Sequence, residues 1–247
     1  MYRPAAVPSL LALALLTACT ARSNEDAADS AADARMTERV DSINAADAPT
    51  GWRSLFDGTS TAGWRGFRSD TVPAGWVARD GVLARTGPGG DIMTVDQFGD
   101  FELELEWKIS EGGNSGIMYR VTEEAAAPYE TGPEMQVLDD ERHSDGQSRL
   151  TSAGSLFGLY PAPAGVVRPA GEWNEVRIVA DSTRIEHWLN GQKVVETEIG
   201  TGEWDAKIAD SKFAAWPGFG RAMRGHIVLQ DHGDVVEYRN IRIRELP

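Results

Sequence analysis

Residues 101–120 read FELELEWKISEGGNSGIMYR. From Phe101 to Ile109 the odd positions are apolar (Phe101, Leu103, Leu105, Trp107, Ile109) and the even ones are charged (Glu102, Glu104, Glu106, Lys108). Strand side chains alternate between faces, so this run predicts a β-strand with one face in a core and the other in water. A row of glutamates on such a strand reads as its solvent face rather than as a set of paired catalytic carboxylates. The glycines that follow, Gly112, Gly113 and Gly116 around Asn114 and Ser115, permit a tight turn and the close approach of another group. Two more alternating runs, Asn114–Arg120 and Glu134–Leu138, place Asn114, Met118 and Arg120 on one strand face and Glu134 and Gln136 on a face of the next. An acid, two amides and a guanidinium displayed this way form a surface suited to a polyol.

Outward from this stretch the same pattern repeats. Gly75–Ala84 reads as a hairpin through Asp80-Gly81 with Trp76 and Val82 inward, and Ile92–Val95 as a short strand. Downstream, Glu172–Ala180, Arg184–Leu189 and Gln192–Glu198 are strand candidates, the last two joined by the two-residue turn Asn190-Gly191. Gly225–Asp231 and Val235–Arg244 close the chain across Gly233-Asp234. Glu141–Ser155 is a polar loop containing His143 and Asp145, and Glu203–Gly220 an irregular insertion with a short helical turn. Many short alternating strands without a βα rhythm pack best as an all-β sandwich of two antiparallel sheets.

The chain has 247 residues, with 38 acidic against 24 basic side chains and a formal net charge of -14. Such a surface excludes a nucleic-acid partner, whose binding depends on clustered Lys and Arg. The single cysteine, Cys19, excludes an internal disulfide. Residues 1–18 carry Arg3, the apolar run Leu10–Leu16 and Thr17-Ala18, a pattern suited to a signal peptide and too short to span a bilayer. Leu16-Thr17-Ala18-Cys19 resembles a bacterial lipoprotein signal. That resemblance implies lipidation of Cys19, a lipid anchor as the membrane contact, and a cell-envelope location, with Thr20 pointing to the outer membrane. Residues 19–49 then form an acidic, Ala-rich tether, with helix-forming composition over Ala27–Ala46, and the folded domain occupies 50–247.

Several segments, in order, carry a family resemblance. They are Ser54-Leu55-Phe56-Asp57-Gly58 with Gly63-Trp64, Gly113-Asn114-Ser115-Gly116-Ile117 with Tyr119-Arg120, and Glu134-Met135-Gln136-Val137-Leu138-Asp139. Further on come Gly171-Glu172-Trp173-Asn174, His187-Trp188-Leu189-Asn190-Gly191, and Ile227-Val228-Leu229-Gln230-Asp231-His232-Gly233 with Arg239-Asn240-Ile241. Over roughly Gly51–Leu246 the chain resembles the bacterial 3-keto-disaccharide hydrolase domain. The resemblance implies a concanavalin A-like jelly-roll sandwich and cleavage of 3-keto-glycosides or 3-keto-disaccharides. It also implies a separate oxidoreductase that makes the ketone, because no dinucleotide motif is present here.

Such chemistry requires a base, stabilisation of an oxyanion and an acid near the leaving oxygen. Glu134 is the first choice for proton transfer, with Gln136 beside it to orient a hydroxyl. Asp139 has the opposite strand parity from Glu134 and joins only if the strand ends or bulges near Leu138. His187 and His232 are further proton-transfer candidates. Asn114, Arg120 and Gln230 are candidate substrate contacts, Arg120 also for oxyanion charge. No metal-binding motif assigns a catalytic metal, while loop acids leave a structural calcium open. Two alternatives stand beside this reading. A conventional glycosidase needs a second carboxylate that spacing does not assign to Glu134, and a carbohydrate-binding module would use surface tryptophans.

Overall fold

The computed structural model describes residues 51–247. The expected leader, Cys19 lipidation, tether and Ala27–Ala46 helix lie outside the described residues. The strands in chain order are β1 (Arg53–Ser54), β2 (Trp64–Gly66), β3 (Trp76–Arg79), β4 (Val82–Arg85), β5 (Ile92–Thr94), β6 (Phe101–Ile109) and β7 (Asn114–Val121). They continue as β8 (Glu134–Leu138), β9 (Asn174–Asp181), β10 (Arg184–Leu189), β11 (Gln192–Glu198), β12 (His226–Leu229) and β13 (Val236–Glu245), with the helix α1 (Gly202–Ala209) before β12.

The alternation in FELELEWKI decides the larger sheet. Phe101, Leu103, Leu105, Trp107 and Ile109 are all buried on one side of β6, which lies mid-sheet in the order β11-β10-β9-β6-β13-β4-β3, with β1 also paired to β13. The charged side faces outward, as expected, under a layer of cations. Glu102 meets Arg177 at 2.9 Å and also Arg244, Glu104 meets Arg242 at 2.6 Å, and Glu106 meets Arg239 at 2.6 Å. This ladder leaves Glu102 buried and removes the three glutamates from any carboxylate-pair chemistry. Two hairpins close as their turn residues dictate. Asp80-Gly81 and Asn190-Gly191 all take positive φ, the geometry that suits a two-residue turn to twisted strands. In the first hairpin Trp76 is buried as expected, but Leu83 rather than Val82 is the fully buried residue of β4.

The second sheet has the order β2-β5-β12-β7-β8, and every pairing in both sheets is antiparallel. Its inward residues, among them Ile117, Tyr119, Met135, Ile227 and Leu229, join those of the large sheet in one core. Two antiparallel sheets closing on a shared apolar layer are the jelly-roll sandwich. On the outer face of the small sheet Met93, Met118, Val121 and Val228 form a separate apolar cluster with Phe67 against it.

Two connections shape that outer face. After β8 the chain returns along its free edge: Ser155 O accepts from Gln136 N at 3.1 Å, Phe157 N donates to Glu134 O at 3.0 Å, and Leu156 bridges Met135. The insertion expected over Glu203–Gly220 is more regular than its Gly and Pro content suggests. Thr201 caps α1 by accepting from Trp204 N at 3.2 Å, and fully buried Trp204 stacks on Tyr160 and Phe219. A 3-10 turn, Lys212–Ala215, follows.

Candidate active site

Register assembles the site. Across the small sheet Arg65 lies opposite Met93, Met93 opposite Val228, Val228 opposite Met118 and Met118 opposite Glu134. Two residues along each strand, on the same face, comes a polar row of Asp91, Gln230, Gly116 and Gln136. Gln230 N donates to Gly116 O at 3.0 Å, and Gly116 lies opposite Gln136. One more step brings Asn114 and, beyond the end of β12, His232. The sheet thus gathers Glu134, Gln136, Asn114 and Gln230 on one side, as the alternation of their segments requires, while His232 lies past the end of β12, where no strand parity places it.

Glu134 crosses this face toward Gly116. A Cβ on Gly116 would overlap the Glu134 carboxylate, so the glycine is what permits the side chain to lie over β7. The residue is 7% exposed. Its neighbour is neutral: the Gln136 amide nitrogen, oriented so that donors meet acceptors, lies 3.3 Å from Glu134 Oε1 and 3.1 Å from Ser115 O. Burial without an ion pair pushes Glu134 up to about 8, with Asp91 and Asp145 adding to the shift and Lys212 opposing it. Such a carboxyl holds its proton at neutral pH.

Asp91 is a second carboxyl on the face and was not singled out from sequence. It accepts from Asp231 N at 2.7 Å, and burial, followed by the nearby Asp231 charge, lifts it to about 6. Asp231 is itself held by a buried ion pair with Arg85 at 2.7 Å and by the amides of Gly89 and Gly90 at 3.1 and 2.9 Å. The outer face therefore offers two carboxyls that ionise in sequence, Asp91 first. Beside them Gln230 Oε1 and Ser155 Oγ are enclosed with no hydrogen-bond partner among the described residues. Ser155 shares the outward face because its neighbour Leu156 pairs with the inward Met135. At the rim, Asn114 Nδ2 approaches Asp145 Oδ2 at 3.4 Å, and the rings of His143 and His232 meet edge to face, 6.4 Å apart.

Residues 51–244 match the family model of the 3-keto-alpha-glucoside-1,2-lyase-like domain. The chain belongs to this family. It is 37% identical over 186 residues to a 3-keto-disaccharide hydrolase from Bacteroides thetaiotaomicron, an alignment covering 66% of this chain and 64% of that relative. Among solved structures, a protein from Parabacteroides distasonis, provisionally named a glycosyl hydrolase, superposes with a TM-score of 0.77 at 33% identity over 81% of this chain and 96% of that one. A second Parabacteroides distasonis protein with the same provisional name gives 0.64 at 29% identity, covering 79% and 99%.

Within this lyase-like domain three expected site residues stand elsewhere. Arg120 was expected on the face of Asn114 and Met118. The β7–β12 register slips between His226 and Val228, and Arg120 takes φ 52° at that bulge. The extra residue turns its side chain off the face, and the guanidinium, buried with the residue 1% exposed, reaches Asp100 and Ser182 O at 2.9 Å each and Gly99 O at 3.1 Å. His187 is 0% exposed between the sheets, with Tyr119 Oη at 3.0 Å from one ring nitrogen and Gly154 O at 3.2 Å from the other. Burial drives it down to about 4, so it stays neutral and far from the outer carboxyls. The alternation Ile185, His187, Leu189 already carried that inward direction. Asp139 ends β8 as a loop anchor, accepting from Gly112 N at 2.7 Å and Glu141 N at 3.1 Å. Its opposite parity holds, and no bulge returns it to Glu134. No cluster of three or more His, Cys, Asp or Glu suited to a metal ion occurs among the described residues.

Proposed function

We propose that this domain cleaves glycosides already oxidised to a ketone at C3 of the sugar, by elimination followed by hydration. The observation that carries the reading is the pair of carboxyls on one sheet face, Asp91 ionised and Glu134 protonated near neutral pH, in a chain of the lyase-like family. Groups whose environments separate their protonation states divide naturally into base and acid. Asp91 takes the proton at C2, which the adjacent ketone acidifies. The C–H electron pair becomes the C2=C3 bond and the carbonyl pair moves to oxygen, giving an enolate. As the C3 carbonyl re-forms, the pair shifts to C1=C2 and the C1–O bond breaks, its electrons leaving with an oxygen that takes the proton of Glu134. Water added across the resulting enone restores a sugar, so the net result is hydrolysis. Gln136, Asn114 and Gln230 orient the sugar hydroxyls.

The name of the Bacteroides thetaiotaomicron relative supports a sugar substrate carrying a 3-ketone. A separate oxidoreductase must supply that ketone, and Cys19, if lipidated, would keep the domain in the cell envelope on an acyl anchor. A conventional glycosidase is the second reading, because Asp91 provides the partner carboxyl that spacing alone had not assigned to Glu134. The deciding experiment incubates the protein with a glycoside and with its 3-keto form in deuterated water. Cleavage confined to the keto form, with deuterium entering at C2, is expected. Cleavage of the unoxidised glycoside without exchange would overturn the elimination in favour of direct displacement.

A further inference from the structure

An enolate at C3 needs a positive partner, and four arginines on and around the small sheet are already engaged. Arg65 is held by Glu123 at 2.7 Å, Arg85 by Asp231 at 2.7 Å, Arg149 by Asp140 at 3.0 Å and Arg120 by Asp100 at 2.9 Å. Lys212 differs: among the described residues no carboxylate oxygen lies within the 4.0 Å of an ion pair to its ammonium, although the chain has a net charge of -14. Its Nζ stands instead 4.3 Å from the centre of the Phe157 ring and 5.3 Å from that of Phe213, contacts that hold a cation while leaving its N–H groups free to donate.

That location adjoins Glu134. Phe157 N donates to Glu134 O at 3.0 Å, and Leu156, the residue before it, bridges the inward-facing Met135. Phe157 and Glu134 therefore pair at adjacent positions along the β8 edge, which brings the lysine above the Phe157 ring to the Glu134 end of the small sheet. Lys212 favours ionisation of Glu134, in agreement with this proximity. Lys212 sits at the start of the 3-10 turn Lys212–Ala215, which buried Phe213 fastens to the core.

We propose that Lys212 is the oxyanion-stabilising residue of this site, its ammonium donating to the C3 oxygen as that oxygen gains charge. The inference rests on the elimination reading and deepens it. In the step concerned, the C2–H bond breaks with its proton passing to Asp91, the C2=C3 bond forms, and the negative charge that collects on the C3 oxygen is met by Lys212. When the C3 carbonyl re-forms, the charge passes through the new C1=C2 bond to the departing oxygen, which takes the proton of Glu134, so the lysine gains and loses no proton. Such a contact strengthens only as charge develops, so it acts on the rate and not on ground-state binding.

The test compares Lys212→Met, Lys212→Arg and Glu134→Gln on one 3-keto glucoside, with binding of its unoxidised parent measured alongside. Lys212→Met is expected to lower kcat/KM by about 10²- to 10³-fold and to slow deuterium entry at C2 in parallel. Binding of the unoxidised parent should be unchanged, and Lys212→Arg should restore part of the rate. The alkaline limb of the pH profile should also move upward, since the cation that favours Glu134 ionisation has gone. Lys212 is exposed, so Lys212→Met should fold as the parent does, which circular dichroism checks. Wild-type exchange and cleavage in Lys212→Met, with Glu134→Gln inactive, would overturn the role of Lys212 and leave the elimination reading standing. Wild-type turnover in both variants would overturn the two together.

Discussion

Glu134 pays for its position in stability. Its carboxyl holds a proton up to about 8 in the fold, against an ordinary value of 4.5 in the unfolded chain. Between those values the native state binds the extra proton, so stability falls as pH rises from about 4.5 and the full cost is present above about 8. Glu134→Gln keeps the shape and removes the titration. It should therefore raise the melting temperature at pH 8.5 but leave it unchanged at pH 4, while lowering turnover by about 10²- to 10⁴-fold. Equal shifts at both pH values, read by thermal denaturation, would refute the buried-acid account. In the wild type kcat/KM should rise through about 6 as Asp91 ionises and fall through about 8 as Glu134 loses its proton. Period-2 parity made Glu134, Gln136 and Asn114 legible in the sequence. Asp91 was not, because it precedes a three-residue strand and reaches the site only through the pairing of β5 with β12.

At the scale of the element, β7 does two jobs along one strand. Its first half accommodates the Glu134 side chain at Gly116, where a Cβ would overlap the carboxylate. Gly116→Ala should push that side chain aside, with a fall in kcat of about 10²-fold or more, the scale of losing a proton-transfer group, and a small change in melting temperature. Steady-state kinetics on the folded variant would check it, and an unaffected kcat would mean that the Glu134 position is not critical. Its second half bulges at Arg120. The strand itself was readable from alternation, but the bulge was not, since one extra residue leaves no periodic mark in a run of eight. The consequence is large for function: the guanidinium expected to meet an oxyanion faces Asp100, and Lys212, from an insertion with no β pattern, stands by the site instead.

At the scale of the molecule, Arg120 and His187 tie the two sheets together. Arg120 leaves the small sheet to bind Asp100 just before β6 and Ser182 O between β9 and β10, and His187 of β10 contacts Tyr119 of β7. Arg120→Met removes a buried cation from its partners and should cost about 3 kcal/mol of stability, measured by urea denaturation, while turnover per folded molecule stays near wild type. A loss of turnover without a loss of stability would return Arg120 to the site. The sequence by itself determined what is local: the strands, through alternating polarity; the tight turns, through Asp80-Gly81 and Asn190-Gly191; and the face shared by Glu134 and Gln136. Only the tertiary structure decided which faces meet. Asp91, Glu134 and Lys212 lie far apart along the chain, and their proximity comes from strand register and from the packing of α1 and its 3-10 turn. Those depend on long-range contacts, which no short stretch of sequence encodes.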